Sequence, residues 1–305
     1  MLLHNILHLK ESDEIFLAEE SLADLITLPV TRDILSEGLD ADRYIDVQGY
    51  GFAAHMIEPA EFWLLLTDRY SPDKILTDYA QRGQGRGAVN IHGTASTNDA
   101  DFIQALIEYY AIFLCGEFLC DSCSVFGPPL YNEDRIKRLE SLLEPLPKGM
   151  KILEVCCGNG MGTQALLKRG YAPWAMELDR CDLCQALKSG SMDPRRSFVL
   201  DAKLLGYFFT PESFDAVIGF MMGLIDRANW PLWKNILLIS SSLARDRVLY
   251  TVYSRNEAEL IAQALDEEGF QGEIIDNRDL RGSSDEKVPV LTMYDQFAYL
   301  GRRIA

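Results

Sequence analysis

Apolar residues recur along the chain at two different spacings, and the change from one to the other divides it. Before residue 130 the spacing is three or four: Leu22, Leu25 and Ile26, the stretches 33–39 and 58–66, and Ile103, Leu106, Ile107, Tyr110 and Leu114 within 99–120. That spacing predicts helices with one buried side. Ser96, Thr97 and Asn98 offer side-chain caps for the last of them. The expectation for residues 1–130 is a mostly α-helical domain. A boundary is expected at Gly127-Pro-Pro-Leu130, because two prolines lack amide donors and restrict the residues before them.

Residues 132–146 read as one amphipathic helix, with Ile136, Leu139, Leu142 and Leu143 on one side and Pro145 and Pro147 closing it. Short apolar runs then alternate with amphipathic ones. Strands are predicted at 151–156, 172–177, 197–200, 216–220, 247–253, 273–276 and 290–299. Helices are predicted at 162–169, 182–189, 233–243 and 257–268, and a polar loop at 278–287. Such alternation predicts an α/β domain over 131–305, a doubly wound and mainly parallel sheet with helices on both faces.

Composition adds limits. The chain has 305 residues, 48% hydrophobic and 25% charged, in the range of globular proteins rather than fibrous or disordered ones. The net charge is −17, and most of it falls on residues 1–130, with 7 basic against 21 acidic residues. That surplus repels a phosphate backbone, so no nucleic-acid partner is expected. The densest apolar stretch, 102–120, contains Glu108 and Glu117 and falls short of the run of about 20 apolar residues a bilayer helix needs. No membrane association is expected. Without a cationic leader, and with seven cysteines, an odd number, the chain does not read as a secreted disulfide scaffold. A cytoplasmic location with reduced thiols is expected.

The stretch richest in chemistry is Ile152-Leu-Glu-Val-Cys-Cys-Gly-Asn-Gly-Met-Gly-Thr163. A strand carries Glu154, and a turn with Gly158, Asn159 and Gly160 feeds a helix, so a ligand can approach bare backbone at the carboxyl end of a sheet. An acid four residues before the first of these glycines opposes a pyrophosphate and favours a cationic ligand. The run is similar to the first motif of class I S-adenosylmethionine-dependent methyltransferases, an acidic residue followed by three alternating glycines. Glu154 takes the acidic position, Gly158 and Gly160 the last two glycine positions, and Cys156 stands where the first glycine is usual.

Three more landmarks follow in order. Ala175-Met-Glu-Leu-Asp179 places Glu177 nineteen residues after Gly158, where a carboxylate accepts from both ribose hydroxyls. Leu178 follows it. Phe198-Val-Leu-Asp-Ala202 puts Asp201 and Ala202 where the resemblance implies recognition of the adenine amine. Phe214-Asp-Ala-Val-Ile-Gly-Phe220 matches the family's fourth strand, with Phe220 at its end. Taken singly, Glu154 as a helix cap or Asp201 paired with Lys203 explains these acids equally well. Together the resemblance covers residues 131–305 and implies S-adenosylmethionine as cofactor. It also implies that the segment before the motif, with Tyr131, either closes over the cofactor or packs an interdomain joint.

What such a protein methylates is bounded only from one side. After the fourth strand the chain reads Gly219-Phe-Met-Met-Gly-Leu-Ile-Asp226, not the Asn-Pro-Pro-Tyr of nucleobase-amine and glutamine-amide methyltransferases. The expected reaction is therefore in-line methyl transfer to a small-molecule acceptor, with residues 1–130 as substrate cover or interaction domain. The alternatives are a non-catalytic cofactor- or partner-binding module of the same fold, and transfer of another alkyl group. No motif singles out a catalytic base, an acceptor atom or an oligomeric state.

Other residues invite chemistry less specifically. Cys120, Cys123, Cys181 and Cys184 form two C-x-x-C pairs that suit a zinc or iron–sulfur site, but 57 residues separate the pairs and both lie in helical segments, so no metal is expected. Cys156 and Cys157 read as packing or cofactor-wall residues, lacking a His or Lys neighbour to activate them. His4 and His8 are one helical turn apart and read as packing or surface residues. His55 and His92 stand alone, with an acceptor-side base as the other reading. Gln-Arg-Gly-Gln-Gly-Arg-Gly at 81–87 reads as a surface loop rather than a phosphate cradle.

Overall fold

The computed structural model describes residues 1–58, 60–81, 90–116, 133–278 and 294–304. The chain divides into two units, Met1–Phe113 and Leu114–Ala305. Gly127-Pro-Pro-Leu130 lies outside the described residues.

The first unit is mixed α/β rather than mostly helical. Its elements run α1 (Leu2–Leu7), β1 (Ile15–Leu17), α2 (Asp24–Thr27), α3 (Pro29–Glu37), β2 (Arg43–Val47), β3 (Gly51–Met56), β4 (Phe62–Leu66), α4 (Ile75–Gln81), β5 (Asn90–Ala95) and α5 (Asp99–Gly116), the last continuing past Phe113. The five strands form one sheet in the order β1-β4-β3-β2-β5. The correction centres on 58–66, where Phe62-Trp-Leu-Leu-Leu66 satisfies a spacing of three and four merely by being apolar throughout. A run that short is ambiguous, and partners decide it. Phe52 pairs with Leu66 and Met56 with Phe62 in an antiparallel ladder, and Gly51 makes the close approach feasible, since a Cβ there would lie 2.1 Å from the Leu66 carbonyl oxygen. The helices behave as their caps dictate. Asn98 Oδ1 accepts from the Asp101 amide at 2.9 Å at the start of α5, and the buried Glu19 accepts from the Val30 and Thr31 amides at the start of α3.

The second unit contains α6 (Glu133–Leu142), β6 (Ile152–Val155), α7 (Met161–Lys168), β7 (Trp174–Glu177), α8 (Arg180–Lys188), β8 (Ser197–Val199), a 3-10 turn (Ala202–Leu204), α9 (Leu205–Phe208), β9 (Phe214–Phe220), α10 (Trp230–Ser242), β10 (Ala244–Val252), α11 (Arg255–Asp266), β11 (Phe270–Asp276) and β12 (Phe297–Arg303). Its seven-stranded sheet has the order β8-β7-β6-β9-β10-β12-β11. The pairs β6/β7, β7/β8, β6/β9 and β9/β10 are parallel, and β12 lies antiparallel between β10 and β11. The chain winds outward from β6 to β8, then returns to the other side of β6 to build β9 and β10. The strand order reverses at β6, and in doubly wound sheets the carboxyl ends at such a switch point are where ligands bind.

The last strand falls later than 290–299. Phe297–Arg303 is its extent, and it runs through Gly301 and two arginines that a periodicity argument discounts. Arg303 belongs there because its guanidinium donates to the carbonyls of Ser241 and Ala244. One core cluster holds α6 and β6 together: Ile136, Leu139, Leu143, Ile152, Ala165, Leu166, Ile218 and Phe220 are buried in it. Full burial of each large apolar side chain contributes about 1.5–3 kcal/mol, which fixes the turn after β6 against the start of α7.

Candidate functional site at the carboxyl ends of β6, β7 and β8

Where β6 ends, the chain turns into α7 through Cys156, Cys157, Gly158, Asn159 and Gly160, and carboxylates from neighbouring strands lie beside the turn. The turn is sharply wound. Cys156 has φ 55°, Gly158 φ 55° and Gly160, the N-cap of α7, φ 86°. Cys156 is thus in the left-handed region, where a side chain costs about 1–2 kcal/mol and glycine nothing. The position of the missing first glycine keeps glycine's conformation without its freedom.

Glu177, at the end of β7, reaches back across the sheet. Its Oε2 accepts from the Gly158 amide at 2.7 Å, and its Oε1 from the Leu178 and Asp179 amides at 2.7 and 3.0 Å. Leu178 beside it is 64% exposed. Asp179 caps α8, accepting from the Cys181 amide. At the end of β8, Asp201 caps the 3-10 turn through the Lys203 amide at 3.0 Å and pairs with Lys203 Nζ at 2.9 Å. The cap-and-pair reading of Asp201 is therefore realised in the fold. Ala202 is buried.

Glu154 is different. It is 0% exposed, and among the described residues neither carboxyl oxygen has a hydrogen-bond partner; it caps nothing. Burial pushes its carboxyl up to about 8, with Glu177 adding to the rise and Thr163 and Arg135 opposing it. The Cys156 thiol is pushed up to about 12 by burial, and then by the charges of Glu177, Asp201 and Glu154. Glu154 lies on β6, Glu177 ends β7 and Asp201 follows β8, so the three acids stand at the carboxyl ends of three adjacent parallel strands. Burial also raises the Cys157 thiol well above its ordinary value, so neither cysteine is a ready nucleophile.

Gly158 is open, with no atom within 4 Å of where a Cβ would be, whereas Gly162 is not: a Cβ there would meet the Phe220 ring at 2.6 Å and Glu154 Oε1 at 3.0 Å. Gly162 is a residue the spacing of the motif did not single out. Its signal was present, a glycine in the first helical turn where α7 crosses the sheet. Phe220 is 5% exposed and faces this contact. Asn159 is partly exposed beside Gly158. Tyr131 lies outside the described residues.

A second group of residues at this edge had no sequence signal. Arg135 Nε pairs with Asp295 Oδ2 at 2.5 Å, its Nη1 donates to Met161 Sδ at 3.3 Å, and its guanidinium lies 5.4 Å from the Tyr294 ring centroid. Asp295 also accepts from Thr251 Oγ1 at 2.6 Å, and Thr251 accepts from the Met221 amide at 2.9 Å. Met221 and Asp295 are both left-handed, at φ 52° and 55°. Glu257 completes a capping box with Ser254 at the start of α11 and accepts from the Ile225 amide at 2.8 Å. The segment after β9 is therefore pinned to β10 and α11 by two hydrogen bonds.

Among the described residues, no group of three or more His, Cys, Asp and Glu side chains is arranged to hold a metal ion. Cys184 is buried with its thiol toward the Leu114 carbonyl, Cys181 is exposed, and Cys120 and Cys123 lie outside the described residues. His4 Nε2 binds the Asp13 carbonyl, and His8 closes α1 in a left-handed conformation. His55 belongs to the first unit, between Asp42 and Glu61 at 2.5 and 3.1 Å. The side chain of His92 and residues 82–89 of the glycine-arginine stretch are outside the described residues. No helix among the described residues is long and apolar enough to cross a membrane.

No family model and no curated protein matches the chain. Solved structures do. Magnesium protoporphyrin IX methyltransferase of Synechocystis PCC 6803, with bound S-adenosylmethionine, is 13% identical, with a TM-score of 0.40 over 68% of this chain and 98% of that one. Phosphoethanolamine N-methyltransferase 2 of Haemonchus contortus is 14% identical, with a TM-score of 0.38 over 68% of this chain and 60% of that one. A ribosomal-protein methylase of Lactobacillus delbrueckii subsp. bulgaricus is 15% identical, with a TM-score of 0.39 over 57% and 80%. A mixed α/β unit with a seven-stranded sheet, wound about an acid-and-glycine turn, is the architecture that the resemblance to class I S-adenosylmethionine-dependent methyltransferases implies.

Proposed function

We propose that the chain is an S-adenosylmethionine-dependent methyltransferase that acts on a small molecule, with its cofactor held in the second unit. The observation that carries this reading is the placement of Glu154, Glu177 and Asp201 at the carboxyl ends of three adjacent parallel strands, with Glu177 bonded to the Gly158 amide of the turn. The residues suit an adenosyl amino acid. The turn has open backbone at Gly158 for its amino-acid end, and Glu154 is a buried acid that suits a cation. Glu177 Oε2 accepts one protein hydrogen bond and keeps capacity for a ribose hydroxyl. Leu178 offers an exposed apolar face for a flat base. Asp201 and Ala202 face the exocyclic amine, once Lys203 gives way, which costs little for a partly exposed pair. Cys156 and Phe220 form walls.

When bound, the sulfonium supplies an electrophilic methyl group. The protein's share is to orient, to exclude water and to hold an acceptor in line with the carbon–sulfur bond. The absence of an activated thiol at the turn fits catalysis by positioning. It fits the second reading too, a non-catalytic binding module, and transfer of labelled methyl groups to a small-molecule extract separates the two.

Binding is the first test. At a concentration a hundredfold above Kd, S-adenosylhomocysteine stabilises its target by about 2.7 kcal/mol, a clear rise in Tm. Glu177→Gln combined with Asp201→Asn removes two charged acceptors worth about 1.5–3 kcal/mol each and should weaken binding at least tenfold. An unchanged affinity in that double variant, or no Tm rise in the parent chain, would overturn the reading.

A further inference from the structure

A carboxyl group sealed from water is a poor anion, and Glu154 is such a group. Its surroundings are mostly uncharged. From β6 and the following turn come the protonated thiols of Cys156 and Cys157; from β9, the Phe220 ring across Gly162; from α7, the buried Thr163 hydroxyl, near enough to favour the anion but outside ordinary hydrogen-bond geometry. Two charged groups act on it, Glu177 of β7 and Arg135 of α6. Arg135 is largely neutralised by the fully buried Asp295 at 2.5 Å, so the described residues provide little net positive charge here. The ligand proposed for the adjoining turn provides it, because its amino-acid end carries an ammonium.

We infer that Glu154 releases its proton when an adenosyl ligand bearing an ammonium group enters the glycine turn, and that this exchange selects such ligands over neutral adenosyl compounds. The inference rests on the cofactor reading above. The O–H bond of the carboxyl breaks with its electron pair left on oxygen, the proton passes to buffer, and the ligand nitrogen keeps its charge; no oxidant or reductant takes part. By linkage, affinity then rises with pH, by up to tenfold per unit while the free protein holds the proton and the complex does not. A neutral ligand gains nothing.

The test is titration calorimetry on the full chain near pH 7, in two buffers of different ionisation enthalpy. S-adenosylhomocysteine should bind with release of close to one proton, and methylthioadenosine, which lacks the amino-acid group, with none. In Glu154→Gln, release should vanish and the preference for S-adenosylhomocysteine should fall about tenfold or more. Methylthioadenosine affinity should be retained, and that retention reports an intact fold. Binding of S-adenosylhomocysteine without proton release, or release that survives in Glu154→Gln, overturns the inference while leaving the cofactor reading standing. Failure of both compounds to bind removes the cofactor reading and the inference with it.

Discussion

Cys156 carries two opposing demands. Its backbone is left-handed, a glycine conformation, while its side chain is half-buried between the carboxyl ends of β6 and its neighbours. A β-branched residue cannot share that compromise, so Cys156→Val should destabilise the chain by about 2 kcal/mol. Cys156→Gly, which trades relief of strain against a more flexible unfolded chain, should stay within about 1 kcal/mol of the parent. Urea unfolding midpoints check both. The thiol has a separate signature. With its pKa near 12, about one thiolate in ten thousand exists at pH 8, so iodoacetamide should label the exposed Cys181 well before Cys156, as peptide mass mapping would reveal. Reading Cys156 as a departure from the motif was legible from the letters alone; that its backbone still obeys the motif was not, because φ follows from the closure of strand, turn and helix together.

At the scale of elements, α7 makes its closest approach to the sheet at Gly162, and α11 organises the segment after β9 through Glu257. Gly162→Ala would drive a methyl to 2.6 Å from the Phe220 ring, and overpacking of this kind costs about 1–3 kcal/mol. Since the same methyl crowds Glu154, ligand affinity should drop with stability. Glu257→Ala removes the capping box and the acceptor of the Ile225 amide together, a loss of about 1–3 kcal/mol. Hydrogen exchange at Ile225 should quicken far more than at β10, and equal quickening would show that Glu257 has no local hold on this segment. Most helices and strands of 151–268 were legible as period and punctuation, but the 3-10 turn and the four-residue α9 between β8 and β9 were too short to leave a period. β2, β3 and β4 were not, since short apolar runs such as 62–66 take their identity from partners on other strands, and β12 hid behind a glycine and two arginines whose hydrogen bonds lie elsewhere in the chain.

For the whole molecule, Glu154 links stability to pH. Its folded-state pKa is about 8 against an ordinary 4.5. The native state therefore keeps a proton that the unfolded state has lost between those values, and stability should fall as pH rises from about 4.5 to 8, then level. Glu154→Gln should flatten that slope, measured by chemical unfolding at fixed ionic strength, and a slope that persists unchanged would place its origin in other groups. The sequence by itself determined the division into an acidic first part and an α/β second part. It also determined the order of strand-end acids and the glycine turn, because alternation, spacing and side-chain chemistry are local properties that a linear string records. Only the tertiary structure decided that the first part builds a sheet, that Arg135, Thr251 and Asp295 join across 160 residues, and that Glu154 is fully buried while Glu177 collects three amides. Those outcomes depend on which backbone amides end up facing which carboxylates, and the competition for them is settled by packing between elements far apart in the chain.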